Sequence, residues 1–224
     1  MFHVKHEITF NNMIEFLQTQ KIYLTPEQTG QLSEYHKSLL QWKNKTNLVS
    51  SNDYNAILER HFITSFYYGF ILINEINQMD YIIDMGSGAG FPGIILSILF
   101  PDHRISLIDS SRKKALFLNF VKKDLQLVNC NIVNDRIENL LNQNNLIAKY
   151  IVARALAPLP KLIELAKFFI APGSRLLTLK GADFKNRVEG NLINNKQIRI
   201  ISISRSWLEF SSYLNHKTFI EYRF

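Results

Sequence analysis

Tyr81-Ile82-Ile83-Asp84-Met85-Gly86-Ser87-Gly88-Ala89-Gly90-Phe91-Pro92-Gly93, running on through Ile94-Ile95-Leu96-Ser97-Ile98-Leu99-Phe100, decides how this chain folds. A β-prone apolar run, a glycine cluster and a second apolar run closed by Pro101 read as strand, loop and helix. Glycine at every second position, Gly86, Gly88 and Gly90, lets the backbone turn tightly and turn its amides toward a ligand. Pro92 suits the first turn of a helix, where a missing N–H leaves nothing unsatisfied. The stretch reads as a nucleotide-type binding loop opening a βαβ unit.

Two cofactor classes compete for such a loop. Gly88-Ala89-Gly90-Phe91-Pro92-Gly93 satisfies the dinucleotide spacing G-x-G-x-x-G, and Asp109 stands 21 residues after Gly88, as a ribose-binding acid would. Against this, the glycines begin earlier, at Gly86, and Asp84 ends the strand, where an acid is expected to face the ligand. A carboxylate there repels a pyrophosphate and attracts the ammonium group of S-adenosylmethionine. Asp109 suits either cofactor, since both present ribose hydroxyls. S-adenosylmethionine is the better reading.

Downstream, strands and helices alternate. Arg104–Asp109 reads as a second strand, and Ser110 and Ser111 can cap a helix over Arg112–Lys123. Cys130–Asn134, Tyr150–Arg154 and Arg175–Gly181 read as further strands. Leu159–Phe169 reads as a helix, and Ala171-Pro172-Gly173 as a turn. Ile198–Ile203 and Lys217–Tyr222 complete the set, the last alternating like a half-buried strand, and the two together suggest an antiparallel hairpin at one edge. The fold class is α/β, with a mostly parallel sheet covered on both faces. Ligands of such sheets bind beyond the carboxyl ends of the strands. Asp84, Asp109, the Asp135–Glu138 segment and Arg154 all fall there.

Upstream, residues 1 to about 79 read as a helical extension and 80–224 as the main domain. Ile14, Phe16 and Leu17, then Leu32, Tyr35, Leu39 and Leu40, recur at helical spacing, and Thr25-Pro26-Glu27-Gln28 signals a helix start. Trp42 beside Lys43 and Lys45 suits either a core position at a helix end or a base-stacking platform. Arg60-His61-Phe62 opens another helical stretch, Ile63 to Ile76. Arg60 can face the cleft or pair with Glu59 or another acid.

Bulk properties narrow the class. The chain of 224 residues has 46% hydrophobic and 20% charged residues, which suits an ordinary globule with a real core. No apolar run reaches membrane-span length. The first twenty residues carry Lys5, His6, Glu7 and Glu15 without a signal-peptide core, so a cytoplasmic location is expected. Cys130 is the single cysteine, which leaves no internal disulfide or multi-cysteine zinc site; it reads as a small buried hydrophobe. Net charge is +7. Residues 1–79 hold six basic and seven acidic side chains, and residues 80–224 hold twenty and twelve. The positive surplus belongs to the half with the glycine loop, and nucleic acid is the natural partner for it.

Asp84-Met-Gly-Ser-Gly-Ala-Gly-Phe-Pro-Gly-Ile, Asp109-Ser-Ser-Arg-Lys-Lys, Arg136-Ile-Glu138, Arg154-Ala-Leu-Ala and Leu179-Lys-Gly together resemble the ribosomal small subunit methyltransferase G family, also called glucose-inhibited division protein B. Gln41-Trp-Lys-Asn-Lys-Thr-Asn-Leu and the Arg60-His-Phe block resemble it too. The resemblance implies a seven-stranded class I methyltransferase fold, Rossmann-like, with a helical N-terminal extension. It also implies S-adenosylmethionine-dependent methylation of guanine N7 at position 527 of 16S ribosomal RNA in the small ribosomal subunit. Separately from the resemblance, a monomer is expected. Carried over by motif, the cofactor contacts would be Gly86, Phe91, Ile137, Glu138 and Arg154, joined by Asp84, Gly88 and Asp109 from the general class I pattern. Lys113, Lys114, Lys122, Lys123 and Arg60 are the RNA-binding candidates. No metal is implied, and no catalytic residue is assigned: the six histidines are scattered and none sits in a nucleophile motif. One departure stands out, since Thr64-Ser65 follows Arg-His-x-x where the family usually has Asp-Ser. Three alternatives remain open: a nicotinamide dehydrogenase, an RNA-binding module without catalysis, and a methyltransferase for small molecules.

Overall fold

The structure is a computed structural model that describes residues 8–43, 45–140, 146–181 and 195–224. Lys5, His6 and Glu7, part of the argument against a signal peptide, lie outside the described residues. Two helices begin the chain. α1 (Phe10–Thr19) starts at Thr9, whose hydroxyl accepts from the Asn12 amide. α2 (Pro26–Trp42) starts on the expected signal: Thr25 and Gln28 form a reciprocal capping box ahead of Pro26, satisfying two amides that the first turn leaves over. A short α3 (Ser51–Tyr54) and a π-helical turn (Leu58–Ile63) lead into α4 (Thr64–Leu72).

The remaining strands are β1 (Ile82–Met85), β2 (Ile105–Ile108), β3 (Cys130–Val133), β4 (Ala148–Arg154), β5 (Ile170–Gly181), β6 (Ile198–Ile201) and β7 (Lys217–Arg223). They form one sheet in the order β3-β2-β1-β4-β5-β7-β6. Every pair from β3 to β5 is parallel, and β7 runs antiparallel to both of its neighbours. The helices between them are α5 (Gly93–Leu99), α6 (Arg112–Asp124), α7 (Leu159–Ala166) and α8 (Arg205–Phe210).

Alternation along the strands sorts the core into two faces. Ile82 of β1 and Val152 of β4 join one cluster with residues of α1, α2, α4, α5 and α6. Ile83, Met85, Ile151 and Ala153 join the other, with Leu162 and Phe169 from the α7 side. All of α5 is buried because it lies between the sheet and the N-terminal helices; that is why Ile94, Ile95, Leu96, Ile98 and Leu99 are apolar all round rather than on one stripe. Cys130 is buried, as expected of a small hydrophobe.

Several local expectations need correction. Strands β6 and β7 pair antiparallel at one edge, but α8 and a 3-10 turn (Ser212–His216) separate them, so they are not a hairpin. β7 is an interior strand rather than a half-buried one. Its Glu221 is fully buried and is bonded by Arg175 and Arg223, which explains how a charge sits inside a sheet. Ala171-Pro172-Gly173 does not form a free turn; it continues β5 past a register shift opposite β4. Ser111 does stand at the N-cap of α6, but its side chain makes no capping bond.

Candidate active site

The glycine loop crosses the carboxyl ends of β1 and β2. Gly86, Gly88 and Gly90 all have positive φ, at 71°, 60° and 104°, which favours glycine at each. At Gly86 a Cβ would in addition stand 2.6 Å from Leu156 Cδ1, so the Leu156 side chain would have to move aside. The loop holds itself by its own amides. Gly86 and Ser87 donate to the Ile108 carbonyl, and Gly90 and Phe91 donate to the Ser87 carbonyl. Gly88 N–H donates to Asp109 Oδ2 at 2.8 Å.

This corrects the expectation of amides turned toward a ligand: five of them are committed to the protein. A loop with its donors spent is poorly equipped for a pyrophosphate, so the dinucleotide reading fails on geometry. Asp84 needs a second correction. It is not in the lining of the cavity above the loop but fully buried on the α5 side of β1, where Oδ2 accepts from Gly93 N–H at 3.0 Å. Among the described residues its Oδ1 has no hydrogen-bond partner. Burial pushes its pKa up to about 7, against partial compensation from the nearby Ser87 hydroxyl, which donates to the Asp84 main-chain carbonyl, and from the Gly93 amide. Gly93 is the close-approach glycine of this contact, since a Cβ there would stand 2.6 Å from Asp84 Oδ2.

Asp109, just past β2, is nine-tenths buried and clamps two backbones at once. Oδ2 takes Gly88 N–H, and Oδ1 takes Ser111 N–H at 2.8 Å. Each oxygen keeps one lone pair for a further donor.

A cavity of about 190 Å³ opens above the loop, lined by Gly86, Ser87, Gly88, Ala89, Phe91 and Arg154, among others. Arg154 ends β4 and enters from the same face as Asp84. It donates to the Arg60 carbonyl at 3.0 Å and meets Nδ1 of His61, and its guanidinium lies 5.4 Å from the Phe91 ring centre. All three contacts are uncharged. An arginine donating to Nδ1 requires a neutral imidazole, and burial with the neighbouring Arg154 charge drives the His61 pKa down to about 3. Nε2 of His61 is buried and, among the described residues, has no hydrogen-bond partner; it lies 3.9 Å from Asp53 Oδ2.

The structure therefore brings together Gly86, Gly88, Phe91 and Arg154 in one cavity, with Asp109 beneath its edge. Ile137 and Glu138 sit on a 3-10 turn after β3 (Ile137–Leu140), outside the cavity lining; Ile137 joins the far core, and Glu138 is exposed. Arg60 lies outside the lining too, because its guanidinium pairs with Asp53 rather than with Glu59. Glu59 instead accepts from Ser212 and from the Tyr213 amide. Lys114 lines this cavity and also a second one of about 300 Å³, with Lys45, Thr46, Asn47, Ser111 and Lys113. Lys122 and Lys123 stand at the far end of α6, away from both cavities. Sequence reading missed His61, Leu48, Val49 and Ala155 in the lining. His61, Leu48 and Ala155 each lie in a motif block (Arg60-His61-Phe62, Gln41–Leu48 and Arg154–Ala157), whereas nothing marks Val49.

The N-terminal helices reach this site directly. Tyr35 of α2, fully buried, donates its hydroxyl to the Ala89 carbonyl at 2.7 Å. Tyr35→Phe leaves that carbonyl without its donor and is expected to cost about 1–3 kcal/mol, read as a lower denaturant midpoint at unchanged slope. An unchanged midpoint would show that the loop does not depend on this bond.

A profile of the family described as rRNA small subunit methyltransferase G matches residues 28–204. The chain belongs to the rRNA small subunit methyltransferase G family. Among the family's curated members, the ribosomal RNA small subunit methyltransferase G of Macrococcus caseolyticus is 35% identical over 189 residues, covering 81% of this chain and 77% of its own. The protein of the same name from Francisella tularensis subsp. novicida is 35% identical over 167 residues, covering 74% of this chain and 77% of its own. Among solved structures, a Staphylococcus aureus protein provisionally named a caffeoyl-CoA O-methyltransferase superposes with a TM-score of 0.60 at 12% identity, over 96% of this chain and 99% of that one. That likeness speaks for the fold, which is the Rossmann-like class I methyltransferase fold. Among the described residues no helix is long and apolar enough to cross a membrane.

Proposed function

We propose that this chain, acting as a cytoplasmic monomer, transfers the methyl group of S-adenosylmethionine to N7 of the guanine at position 527 of 16S ribosomal RNA. The supporting observation is the Arg154 cavity above the glycine loop, set beside a lysine-lined cavity in a member of an rRNA methyltransferase family. The residues present fit the cofactor. Arg154, whose contacts are all uncharged, offers a cation to a carboxylate in a partly desolvated place. A Cβ on Gly88 would meet nothing nearer than 3.9 Å, so the loop floor stays open for a ligand. Asp109 keeps acceptor capacity for ribose hydroxyls, and Phe91 gives an apolar wall. Ile137 and Glu138 are assigned to the same cofactor through the family motif, farther along the rim.

The bound cofactor supplies a methyl group on a sulfonium, an electrophile that leaves a neutral thioether. Guanine N7 offers an in-plane lone pair and carries no proton, so no general base is needed. The contribution of the chain is then alignment, which by itself can lower a barrier substantially. Arg154 orients, and His61 holds Arg154 while staying uncharged. Lys113 and Lys114 meet RNA phosphates, which makes affinity fall steeply with salt; Lys122, Lys123 and Arg60 contribute at longer range.

The test is transfer of labelled methyl from S-adenosylmethionine to unmethylated 16S RNA and small subunits, with chain cleavage at N7-methylguanine to map the site. Label at one guanine is the expected result. Label elsewhere, or none on either substrate with the cofactor bound, would overturn the acceptor assignment.

A further inference from the structure

α6 carries two unlike faces. Ala115, Phe117, Leu118 and Val121 are buried. Arg112, Lys113, Leu116, Asn119, Phe120 and Lys123 are exposed. Positions 113, 116, 120 and 123 fall on one stripe, so a lysine, a leucine, a phenylalanine and a lysine follow each other along it for about 15 Å. Leu116 is 57% exposed and Phe120 39%. A single exposed apolar residue needs no explanation, but these two are one turn apart and do not end at the helix. Phe120 meets the half-buried Trp42 at 5.4 Å between ring centres, and Lys45 stands 5.2 Å over the same Trp42 ring. Lys45 and Lys113 then line the 300 Å³ cavity that shares Lys114 with the Arg154 cavity. Among the described residues neither Lys45 nor Lys113 has an acidic partner, and Asp109, the acid nearest Lys113 in sequence, holds two backbone amides and lies 4.0 Å from Lys114 Nζ.

A continuous surface thus runs from the site along α6, alternating cations with flat apolar groups. Cations alone would suit any polyanion. Among nucleic acids, leucine and aromatic side chains favour one that exposes base faces, which a duplex hides. We propose that this surface is a track for unpaired RNA, with phosphates in the Lys45–Lys113–Lys114 cavity and bases lying against Leu116, Phe120 and the edge of Trp42. The assignment rests on the rRNA reading above and specifies the strand state of the RNA that flanks the target base.

Tryptophan fluorescence of the full chain tests it without turnover. Of the two tryptophans, Trp207 is fully buried, so a stacking base quenches Trp42. An unstructured oligocytidylate is expected to quench and a hairpin duplex of equal length to bind more weakly. Phe120→Ala should weaken oligocytidylate binding on the order of tenfold while S-adenosylhomocysteine affinity stays constant. Lys45→Ala and Lys113→Ala should each lower the salt slope by about one. Leu116→Ser, at the most exposed position, provides a second variant should Phe120→Ala fold poorly. Equal affinity for duplex and oligonucleotide, or no loss in either variant, would overturn the proposal. So would a Phe120→Ala protein that binds naked RNA normally but methylates assembled subunits poorly, which would assign the face to a protein. Absence of methyl transfer by the unaltered chain, with quenching intact, would defeat the proposed reaction and leave the track standing.

Discussion

Arg154→Ala is expected to lower kcat/KM for methyl transfer on the order of 100-fold, about 2.7 kcal/mol of barrier, in a protein that still folds. The guanidinium is held on three sides, by the Arg60 carbonyl, by His61 Nδ1 and by the Phe91 face, so its position is fixed before any ligand arrives. Preorganisation of that kind is what an alignment-driven displacement depends on. Losing the side chain also strips the Arg60 carbonyl of a donor, at a stability cost of about 1–3 kcal/mol, so a thermal melt must accompany the kinetics. Arg154→Lys should recover only part of the loss, because an ammonium cannot reproduce the planar fork. Unchanged turnover together with unchanged cofactor affinity in the alanine variant would remove Arg154 from the mechanism.

Asp84→Asn is expected to change how stability depends on pH. In the folded protein burial holds the Asp84 pKa at about 7, against an ordinary value of 3.8. Between these values the folded state retains a proton that the unfolded chain has released. Raising the pH therefore favours unfolding, and the contribution is fully present below about pH 4 and lost by about pH 7. From pH 5.5 to pH 8 the group should withdraw about 2 kcal/mol. His61 acts in the opposite sense: its pKa of about 3 lies below the ordinary 6.5, so its contribution is lost as the pH falls through that window. The readout is consequently a difference. Unfolding free energies at pH 5.5 and pH 8 are compared in both proteins, and only the Asp84 share disappears in Asp84→Asn, which keeps an acceptor for Gly93 N–H. Identical pH profiles in the two proteins would show that Asp84 ionises normally.

Asp84 also marks where reading the residues stopped short. The strand, the loop and α5 are local patterns, and they were legible. The side on which Asp84 points was not read, although alternation carries that information: Ile83 and Met85 belong to the far core, so Asp84 lies with Ile82 against α5. A strand-end acid becomes a ligand contact only if the helix that follows leaves it room, and Gly93 brings α5 too close. The loop amides were misread for a similar reason. Three of the five donate to the Ile108 carbonyl and to Asp109, at and just past the end of the next strand, and pairing between strands is not written in either one. Arg154 was legible because it ends a buried apolar run with a charge. His61 was not, since one histidine in an aromatic-rich helical stretch has no pattern until β4 brings Arg154 beside it. β7 alternates like a half-buried strand because Glu221 breaks its apolar run, but that charge is buried, with Arg175 from β5 and Arg223 as its partners.

The place of β7 in the sheet has a consequence for synthesis. Strands leave the ribosome in numerical order, but the sheet places β7 between β5 and β6. The β3-β2-β1-β4 half, with the glycine loop and Arg154, can pair among its own strands as soon as β4 has emerged, and β5 adds to it next. β5 then carries an open edge, and β6 has no strand to pair with until residues 217–223 are made. An edge of that kind is a site for pairing with the wrong chain. The half that builds the site can therefore form during translation, whereas closure of the sheet waits for the last of its seven strands.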